Sequence, residues 1–323
     1  MRKKTGLFLL SFLICACLFA GCGSGFSDEV IARIDDREIM KSEYMVYLYT
    51  TTQSFVSTAG NDVWEMDFDG QTGEELVQER ALSTMQSVIA AESFAAENNI
   101  SLTEEQIQEA HTAAEDFWNN LTEEDREKMG IDEKSLDSLM EESYLYSVVS
   151  EKLAAECAVS EEETQSYYEE NKGEIQDAYT LYTVDSIMVQ DEETAKEVAQ
   201  KAQSGEDFSE LFAAYDVDET AKESEEGGQM TLYKSYMNNT FGIEEDLGLG
   251  QITDPLEVSG SYFILKVEEI SVPTEADVKT LAEETYRSQV QQAYVENRMS
   301  EMTKNQKVEK VAEVWENMDT FHQ

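Results

Sequence analysis

The residue pattern changes twice along the chain, near residues 175 and 270, and this order limits the fold more than any other feature. Before residue 175, apolar residues recur mostly every three or four positions, as on one face of a helix. Between 175 and 270, segments rich in β-branched and aromatic residues alternate with short helical segments. After residue 275 the helical pattern returns. The sequence therefore predicts an α+β chain whose block 175–270 is inserted between helical segments that pack together.

Short-range signals predict the individual elements. Thr103 and Ser160 each have Gln or Glu three residues later, the pattern of a capping box, and so begin helices. Two short strands are expected around an acidic turn at 35–37. Further helices are expected from 42, over 192–203, over 207–214, from 275 to about 305, and through Trp315. Strands are expected within 178–189 and over 261–267, with a loop at 60–73 and a turn at 227–228.

The first residues predict an export signal. Three basic residues, 2–4, precede an apolar run over 7–19, which is shorter than the ~20 residues of a spanning helix. The run ends in Leu18-Phe19-Ala20-Gly21-Cys22, which resembles the lipobox of bacterial lipoproteins, although Phe19 departs from the usual aliphatic residue. The resemblance implies a signal peptide over 1–21, a lipid on Cys22, and an anchor on the extracytoplasmic face of the cell membrane. The alternatives are an uncleaved anchor helix and an ordinary secreted protein.

Charge and scarce residue types exclude several function classes. The formal net charge is −46, and the acids are spread along the chain, so nucleic acid is a poor partner. The same charge suits a protein that keeps sticky clients soluble, but it also fits simple adaptation of the surface to its habitat. His111, His322 and the lone Cys157 leave no zinc site of His/Cys type and no Ser-His-Asp machinery. We expect no metal and no cofactor, although calcium dependence stays open.

The inserted block carries seven short motifs in a fixed order. They are Ser186-Ile187-Met188-Val189, Glu193-Thr194-Ala195-Lys196-Glu197-Val198, Gly205-Glu206-Asp207-Phe208, Tyr215-Asp216-Val217-Asp218, Gly227-Gly228-Gln229-Met230, Gly250-Gln251-Ile252-Thr253-Asp254-Pro255 and Tyr262-Phe263-Ile264-Leu265-Lys266-Val267. In this order they resemble the parvulin-type peptidyl-prolyl isomerases. With the export signal, the early hairpin and the returning C-terminal helix, nearly the whole chain resembles the PrsA-type foldases and their SurA-like relatives.

The resemblance implies a domain plan and a class of partner. A helical chaperone domain would comprise residues 22–174 and 271–323, and a parvulin domain with a small antiparallel sheet and surrounding helices would comprise 175–270. The implied partners are unfolded exported proteins, with the membrane reached through the lipid anchor. The implied function is that of an extracytoplasmic foldase or chaperone.

The same resemblance locates a site and a departure from the family. Ser186 and Phe263 stand where parvulins carry two histidines in the floor of the proline pocket, and Asp218 is the one core polar residue that remains. The substrate groove is expected to involve Met230, Met237 (or Tyr236), Phe241 and Tyr262. Isomerase activity is therefore expected to be weakened or lost. The alternative is a non-catalytic adaptor of the cell envelope that binds peptides in a degenerate groove. A solute-binding lipoprotein is disfavoured because repeated βαβ units are absent.

Overall fold

The structure, a computed structural model, describes residues 28–68, 70–224, 227–318 and 320–321. The helices are α1 (Lys41–Ala59), α2 (Gly73–Asn98), α3 (Glu104–Asn120), α4 (Glu123–Met129), α5 (Glu133–Glu156), α6 (Glu161–Ala178), α7 (Glu192–Gln203), α8 (Phe208–Tyr215), α9 (Glu219–Glu223), α10 (Lys234–Phe241), α11 (Glu275–Thr303) and α12 (Ala312–Trp315). The strands are β1 (Val30–Ile34), β2 (Arg37–Met40), β3 (Asp67–Phe68), β4 (Gln71–Thr72), β5 (Leu181–Val189), β6 (Gln229–Tyr233), β7 (Leu256–Val258), β8 (Ser261–Ser271) and β9 (Val308–Lys310). A short 3-10 helix, Asn61–Glu65, follows α1.

Internal contacts divide the chain into two compact units. The first unit contains both chain ends, within residues 1–149 and 299–323, and the second is the continuous stretch 150–298. The predicted α+β architecture with an inserted block is confirmed, but residues 150–174 and 271–298, which the predicted domain plan assigned to the helical domain, fall in the second unit. The predicted parvulin limits, 175–270, lie inside the second unit and stay a prediction.

In the first unit a three-stranded antiparallel sheet joins the two ends of the chain, in the order β2-β1-β9. β1 pairs with β2 across a turn in which Asp35 has a φ of 52°, a left-handed conformation that Asp tolerates better than most residues. On its other side β1 pairs with β9, where Ile34 lies opposite Val308. Ile34 is fully buried in the core that α1, α2, α5 and the C-terminal segment share. The last strand therefore completes a sheet that the first strands begin.

A half-buried ionic cluster also lies in the first unit. Arg37 Nη1 donates to Glu92 Oε2 at 2.6 Å, and its Nη2 donates to Glu43 Oε1 at 2.8 Å and to both Glu142 oxygens at 3.1 Å. One positive charge thus faces carboxylates from α1, α2 and α5. Burial raises the pKa of Glu92 to about 7, with the neighbouring Glu142 adding to the shift. Burial also raises the pKa of Glu43.

In the second unit a four-stranded antiparallel sheet has the order β6-β5-β8-β7. Because successive side chains of a strand point to opposite faces, β5 supplies two cores. Ile187 and Val189 pack against α7 and α8 on one face. Tyr182 and Val184 pack on the other face against Met237 of α10 and part of β8. Both faces of the central strands are therefore covered along part of their length.

Most expected elements are confirmed, and the differences have local causes. The hairpin β1–β2, helix α7 and the capping boxes of Thr103 and Ser160 occur as predicted. The expected loop at 60–73 contains the small hairpin β3–β4. β6, β7, α9 and α10 were not predicted, because each is a short element whose sequence shows weak periodicity. β8 extends to Ser271, beyond the expected residue 267.

Candidate functional site

A cavity of about 270 Å³ lies in the second unit, beside β5, β6 and β8. It is lined by Ser186, Met188, Asp216, Asp218, Thr220, Ala221, Ser224, Gly227, Gly228, Gln229, Met230 and Phe263. The strands contribute the apolar side chains of Met188, Met230 and Phe263, and the segment between α8 and β6 contributes the polar side chains of Asp216, Asp218, Thr220 and Ser224. We call this cavity the groove.

The alternation of β5 and the sheet register bring the apolar part of the groove together. Ser186 and Met188 are two residues apart on β5 and therefore share a face. Met188 lies directly opposite Phe263 on β8, so their side chains lie on this same face. Val184, also on this face, pairs with Met230 of β6. The register thus gathers side chains that are far apart in sequence onto one wall.

A pair of glycines closes the groove against β5. Ser186 N donates to Gly228 O at 3.0 Å. A Cβ at Gly228 would lie 2.2 Å from Ser186 O and 2.8 Å from the Phe212 ring, so no other residue fits without displacing backbone. Gly227 has a φ of 61°, in the left-handed region that favours glycine. The Gly-Gly sequence is therefore required by the close approach of two backbone segments.

Asp216 links the α8–α9 connection to β5 through hydrogen bonds with the backbone. Its Oδ2 accepts a hydrogen bond from Met188 N at 2.7 Å, and its Oδ1 accepts one from Asp218 N at 2.7 Å. Val217 N also donates to Met188 O at 2.9 Å. Asp216 is only 4% exposed, and burial raises the pKa of its carboxyl group, although the two backbone N–H groups oppose that shift. The sequence analysis assigned no role to Asp216. The feature that could have indicated its role is the spacing of Asp216 and Asp218, because an Asp side chain often accepts a hydrogen bond from the backbone N–H two residues later, as in an Asx turn.

Asp218 has a different position and a different task. Its Oδ1 accepts hydrogen bonds from Thr220 N at 2.9 Å and Ala221 N at 3.2 Å, so it is the N-cap of α9. It is half-buried and lines the groove. Among the described residues, its second oxygen, Oδ2, has no hydrogen-bond partner. One carboxylate oxygen is therefore available to a molecule in the groove.

The aromatic residues of the site form a connected set. The ring of Phe241 packs edge-on against that of Phe263, with centroids 5.5 Å apart. Phe241 also contacts the ring of Tyr236, with centroids 6.4 Å apart, and Tyr236 is half exposed. Phe263 thus belongs both to the groove and to an aromatic row that continues from it.

The structure brings together some of the predicted site residues and not others. Ser186, Asp218, Met230 and Phe263 all line the groove. Met237 is 1% exposed in the core beneath, so it supports the wall and offers little surface to a ligand. Tyr262 lies opposite Val189 and packs with the α7–α8 core. This corrects the expectation for Tyr262, because one step along β8 moves a side chain to the other face of the sheet. Cys22 lies outside the described residues.

Comparison with known proteins identifies the family of the domain that contains the groove. The profile described as a PPIC-type PPIASE domain matches residues 159–284, which include every residue lining the groove. The foldase protein PrsA of Caldanaerobacter subterraneus subsp. tengcongensis is 25% identical over 325 residues, which covers 97% of this chain and 98% of the relative. That of Halalkalibacterium halodurans is 25% identical over 284 residues, or 83% of this chain and 73% of the relative. The chain contains a PPIC-type domain and resembles the PrsA-type foldases over nearly its whole length.

Solved structures of PrsA also resemble the chain. The crystal structure of foldase protein PrsA from Streptococcus pneumoniae aligns with a TM-score of 0.48 at 16% identity, covering 86% of this chain and 93% of the other. Within the residues that the structure describes, no helix of this PrsA-type chain is long and apolar enough to cross a membrane.

The groove of this PPIC-type domain offers several groups for non-covalent binding. Ser186 is only 5% exposed, and Cys157 is not among the residues that line the groove, with its thiol 3.9 Å from Val290 O. Among the residues described, no group of three or more His, Cys, Asp or Glu side chains is arranged to hold a metal ion. The groove instead offers an apolar wall, backbone groups and one half-buried carboxylate, which suit an extended peptide.

Proposed function

We propose that this PrsA-type protein is an extracytoplasmic, membrane-anchored foldase whose PPIC-type domain binds client peptides and isomerises prolyl bonds weakly or not at all. Its clients are unfolded exported proteins. They are held by the first unit, which we call the helical unit. The resemblance to the PrsA-type foldases supports the foldase activity, and the composition of the groove supports the loss of catalysis.

The observation that carries the proposal is which side chains of the groove stand at the positions where the family carries its polar groups. Rotation about a peptide bond has a barrier of ~18–20 kcal/mol, and a catalyst lowers it with polar groups placed for the twisted amide. Here Phe263 presents a ring that packs on Phe241 and donates no hydrogen bond. Asp216 has both oxygens engaged by backbone N–H groups. Of the three positions that the resemblance assigns to the site, Ser186, Asp218 and Phe263, only Ser186 and Asp218 therefore carry a polar side chain.

The helical unit and the groove are expected to act separately. Suppression of aggregation should persist when the groove is altered, because the helical unit has its own core and does not depend on these residues. Aggregation of several unrelated unfolded proteins is measured with the wild type and with Met230→Asp, which places a charge in the apolar wall. Unchanged suppression across clients supports a foldase with two binding surfaces. Loss of all suppression in Met230→Asp would contradict this division of roles.

A non-catalytic adaptor is the second candidate, favoured by the apolar character that Phe263 and Phe241 give to the site. An adaptor would bind one partner tightly through the groove. It would leave the aggregation of unrelated proteins unchanged, so the same assay separates the two functions.

The membrane anchor is tested on Cys22. Cys22→Ala should release the protein into the medium or leave an uncleaved precursor, because the lipid needs the thiol. Fractionation of cells that express the wild type and the variant measures this. A variant that is processed and still fractionates with the membrane would show that another feature provides the anchor.

A further inference from the structure

The charged side chains that line the groove all have the same sign. Its described lining contains the carboxylates of Asp216 and Asp218 and no Lys, Arg or His. Glu219 and Glu223, the first and last residues of α9, are exposed on the same segment. The wall that faces a bound peptide is therefore acidic.

One of the two neighbouring cations, Lys222, acts on this wall by opposing the rise in the pKa of Asp216 that burial causes, but neither ammonium group lines the groove. Lys222, on α9, lies 3.3 Å from Glu219 and is already paired with it. Lys266 of β8 lies on the opposite face of the sheet, paired with Glu268 and 6.0 Å from the centroid of the Phe208 ring. The described lining of the groove therefore contains no cation to pair with Asp218.

The opposite wall makes this charge more effective. Met188, Met230 and Phe263 present apolar surface next to the carboxylate. Beside such surface water is partly excluded, so two charges attract more strongly than they do in bulk solvent. Because Asp218 Oδ1 already accepts two backbone hydrogen bonds, its Oδ2 is the oxygen left for a donor in the groove. An ammonium or guanidinium group fits that position, whereas a carboxylate or a phosphate is repelled.

The size of the cavity fixes where the cationic residue stands. At about 270 Å³ it is smaller than the ~300–1,000 Å³ of pockets for drug-sized ligands, so it accommodates one or two side chains. Consecutive residues of an extended peptide are ~3.3–3.6 Å apart. An apolar side chain in the cavity and a cation at Asp218 must then belong to neighbouring residues of one segment.

We propose that the groove selects client segments in which a Lys or Arg stands next to the apolar residue, proline in the first instance, that enters the cavity. This inference rests on the proposed peptide-binding function and adds the class of segment. It gives the acidic lining a role that general surface charge does not explain.

The test uses the full chain and three labelled peptides that differ at one position. Their core sequences are Ala-Lys-Pro-Phe, Ala-Gln-Pro-Phe and Ala-Glu-Pro-Phe, and fluorescence anisotropy measures binding at low salt and at about 0.5 M salt. We expect the Lys peptide to bind about fivefold more tightly than the Gln peptide, and the Glu peptide more weakly than both. High salt should reduce these differences.

A matched pair of variants separates the groove from the charge of the whole protein. Asp218→Asn removes the charge but keeps a residue that caps a helix well, so α9 should remain folded. Asp191→Asn is the same change at the N-cap of α7, outside the groove, and is the control. The preference for Lys should disappear in Asp218→Asn and persist in Asp191→Asn.

The outcomes distinguish the inference from the function beneath it. Equal affinity for the Lys and Glu peptides overturns the inference alone, because the groove then binds peptides without regard to charge. A preference that survives in Asp218→Asn also overturns it, since the net charge of −46 would then be its source. No binding of any of the three peptides would overturn the proposed peptide-binding function, and the inference with it.

Discussion

The two units build their sheets from the chain in opposite ways. In the second unit all four strands come from one stretch, 181–271, and the first of them lies between two later ones. In the first unit β1 pairs on one side with a strand three residues away and on the other with β9, near the C-terminus. One unit can complete its sheet from nearby chain, whereas the other needs both ends and the whole inserted block between them. Because distant contacts cost more loop-closure entropy, the two units should respond differently to damage.

The largest expected effect is that of removing residues 307–323. This deletion takes away β9, together with Trp315, which packs against Tyr44, and Phe321, which packs against Tyr49. Losing one large buried aromatic side chain typically costs ~3–5 kcal/mol, so the first unit should unfold. The second unit should stay folded, since its sheet is complete. Backbone NMR spectra of the deletion and the wild type measure this, with the exposed-site variant Glu309→Ala as control. Native signals from both units would contradict an assembly of the two chain ends.

The next effect concerns the second unit alone. Gly228→Ala places a methyl group 2.2 Å from Ser186 O, and we expect it to destabilise this unit by ~3 kcal/mol. Gly173→Ala is the matched control, because that helical glycine has open space around it and the change should stabilise by ~0.5–1 kcal/mol. Urea denaturation followed by a probe in each unit gives both values. Equal stability of the two variants would mean that the backbone approach at Gly228 is not tight.

These two sites also show what a sequence can and cannot predict. The Gly-Gly pair was visible as a turn, but the contact of Gly228 with Ser186 of β5 was not, because these two residues are 42 positions apart in the chain. Likewise, capping boxes and helical periodicity predicted α3, α6 and α7, since these signals are local. The pairing of β1 with β9 and the face on which Tyr262 lies depend on register. A register set by tertiary packing leaves little trace in the strands themselves.

The groove itself was partly predictable. Motif order led to Ser186, Asp218, Met230 and Phe263, and these four line one cavity. The role of Asp216 was not predicted, because its two partners are backbone N–H groups, which any sequence supplies. The cluster around Arg37 was also unforeseen, since it joins four elements of the first unit.

A smaller effect, confined to the first unit, is expected when the charge of Arg37 is removed. Arg37→Met leaves Glu43, Glu92 and Glu142 facing one another while half-buried. Breaking a buried ion pair costs ~3–5 kcal/mol; partial exposure reduces this to about 2–3 kcal/mol here. Arg33→Met is the control, because the pair of Arg33 with Glu38 is exposed and worth less than about 1 kcal/mol. The unfolding midpoint of the first unit measures the difference, and similar midpoints for the two variants would contradict it.

The smallest effect is a dependence on pH. Glu92 has a pKa of about 7 in the folded unit, above the ordinary value of 4.5, so the folded state holds a proton that the unfolded state releases. The stability that this proton provides is complete below pH 4.5 and is lost as pH rises to about 7. The groups that face Glu92 are Arg37, Glu43 and Glu142.

Glu92→Gln should remove this dependence. Relative to the wild type, the variant should gain about 1–2 kcal/mol between pH 4.5 and 7.5, after allowance for partial exposure. Glu97→Gln, an exposed site on the same helix, should show no such gain. Urea titrations of the three proteins at several pH values measure the gain. A constant difference between Glu92→Gln and the wild type would show that Glu92 carries no extra proton.

The central claim is that the groove keeps a shape that binds peptides but has lost the polar side chains that isomerisation needs. The most direct test is a protease-coupled proline isomerisation assay on the full chain, comparing the wild type with the double variant Ser186→His and Phe263→His. With the wild type, the prolyl bond should isomerise at nearly the uncatalysed rate, even at protein concentrations where the peptide is bound. The double variant should be faster, because one placed polar contact to a transition state is worth ~10²-fold. A wild-type rate far above background that falls in Asp218→Asn would contradict the claim, since catalysis would then survive without the histidines.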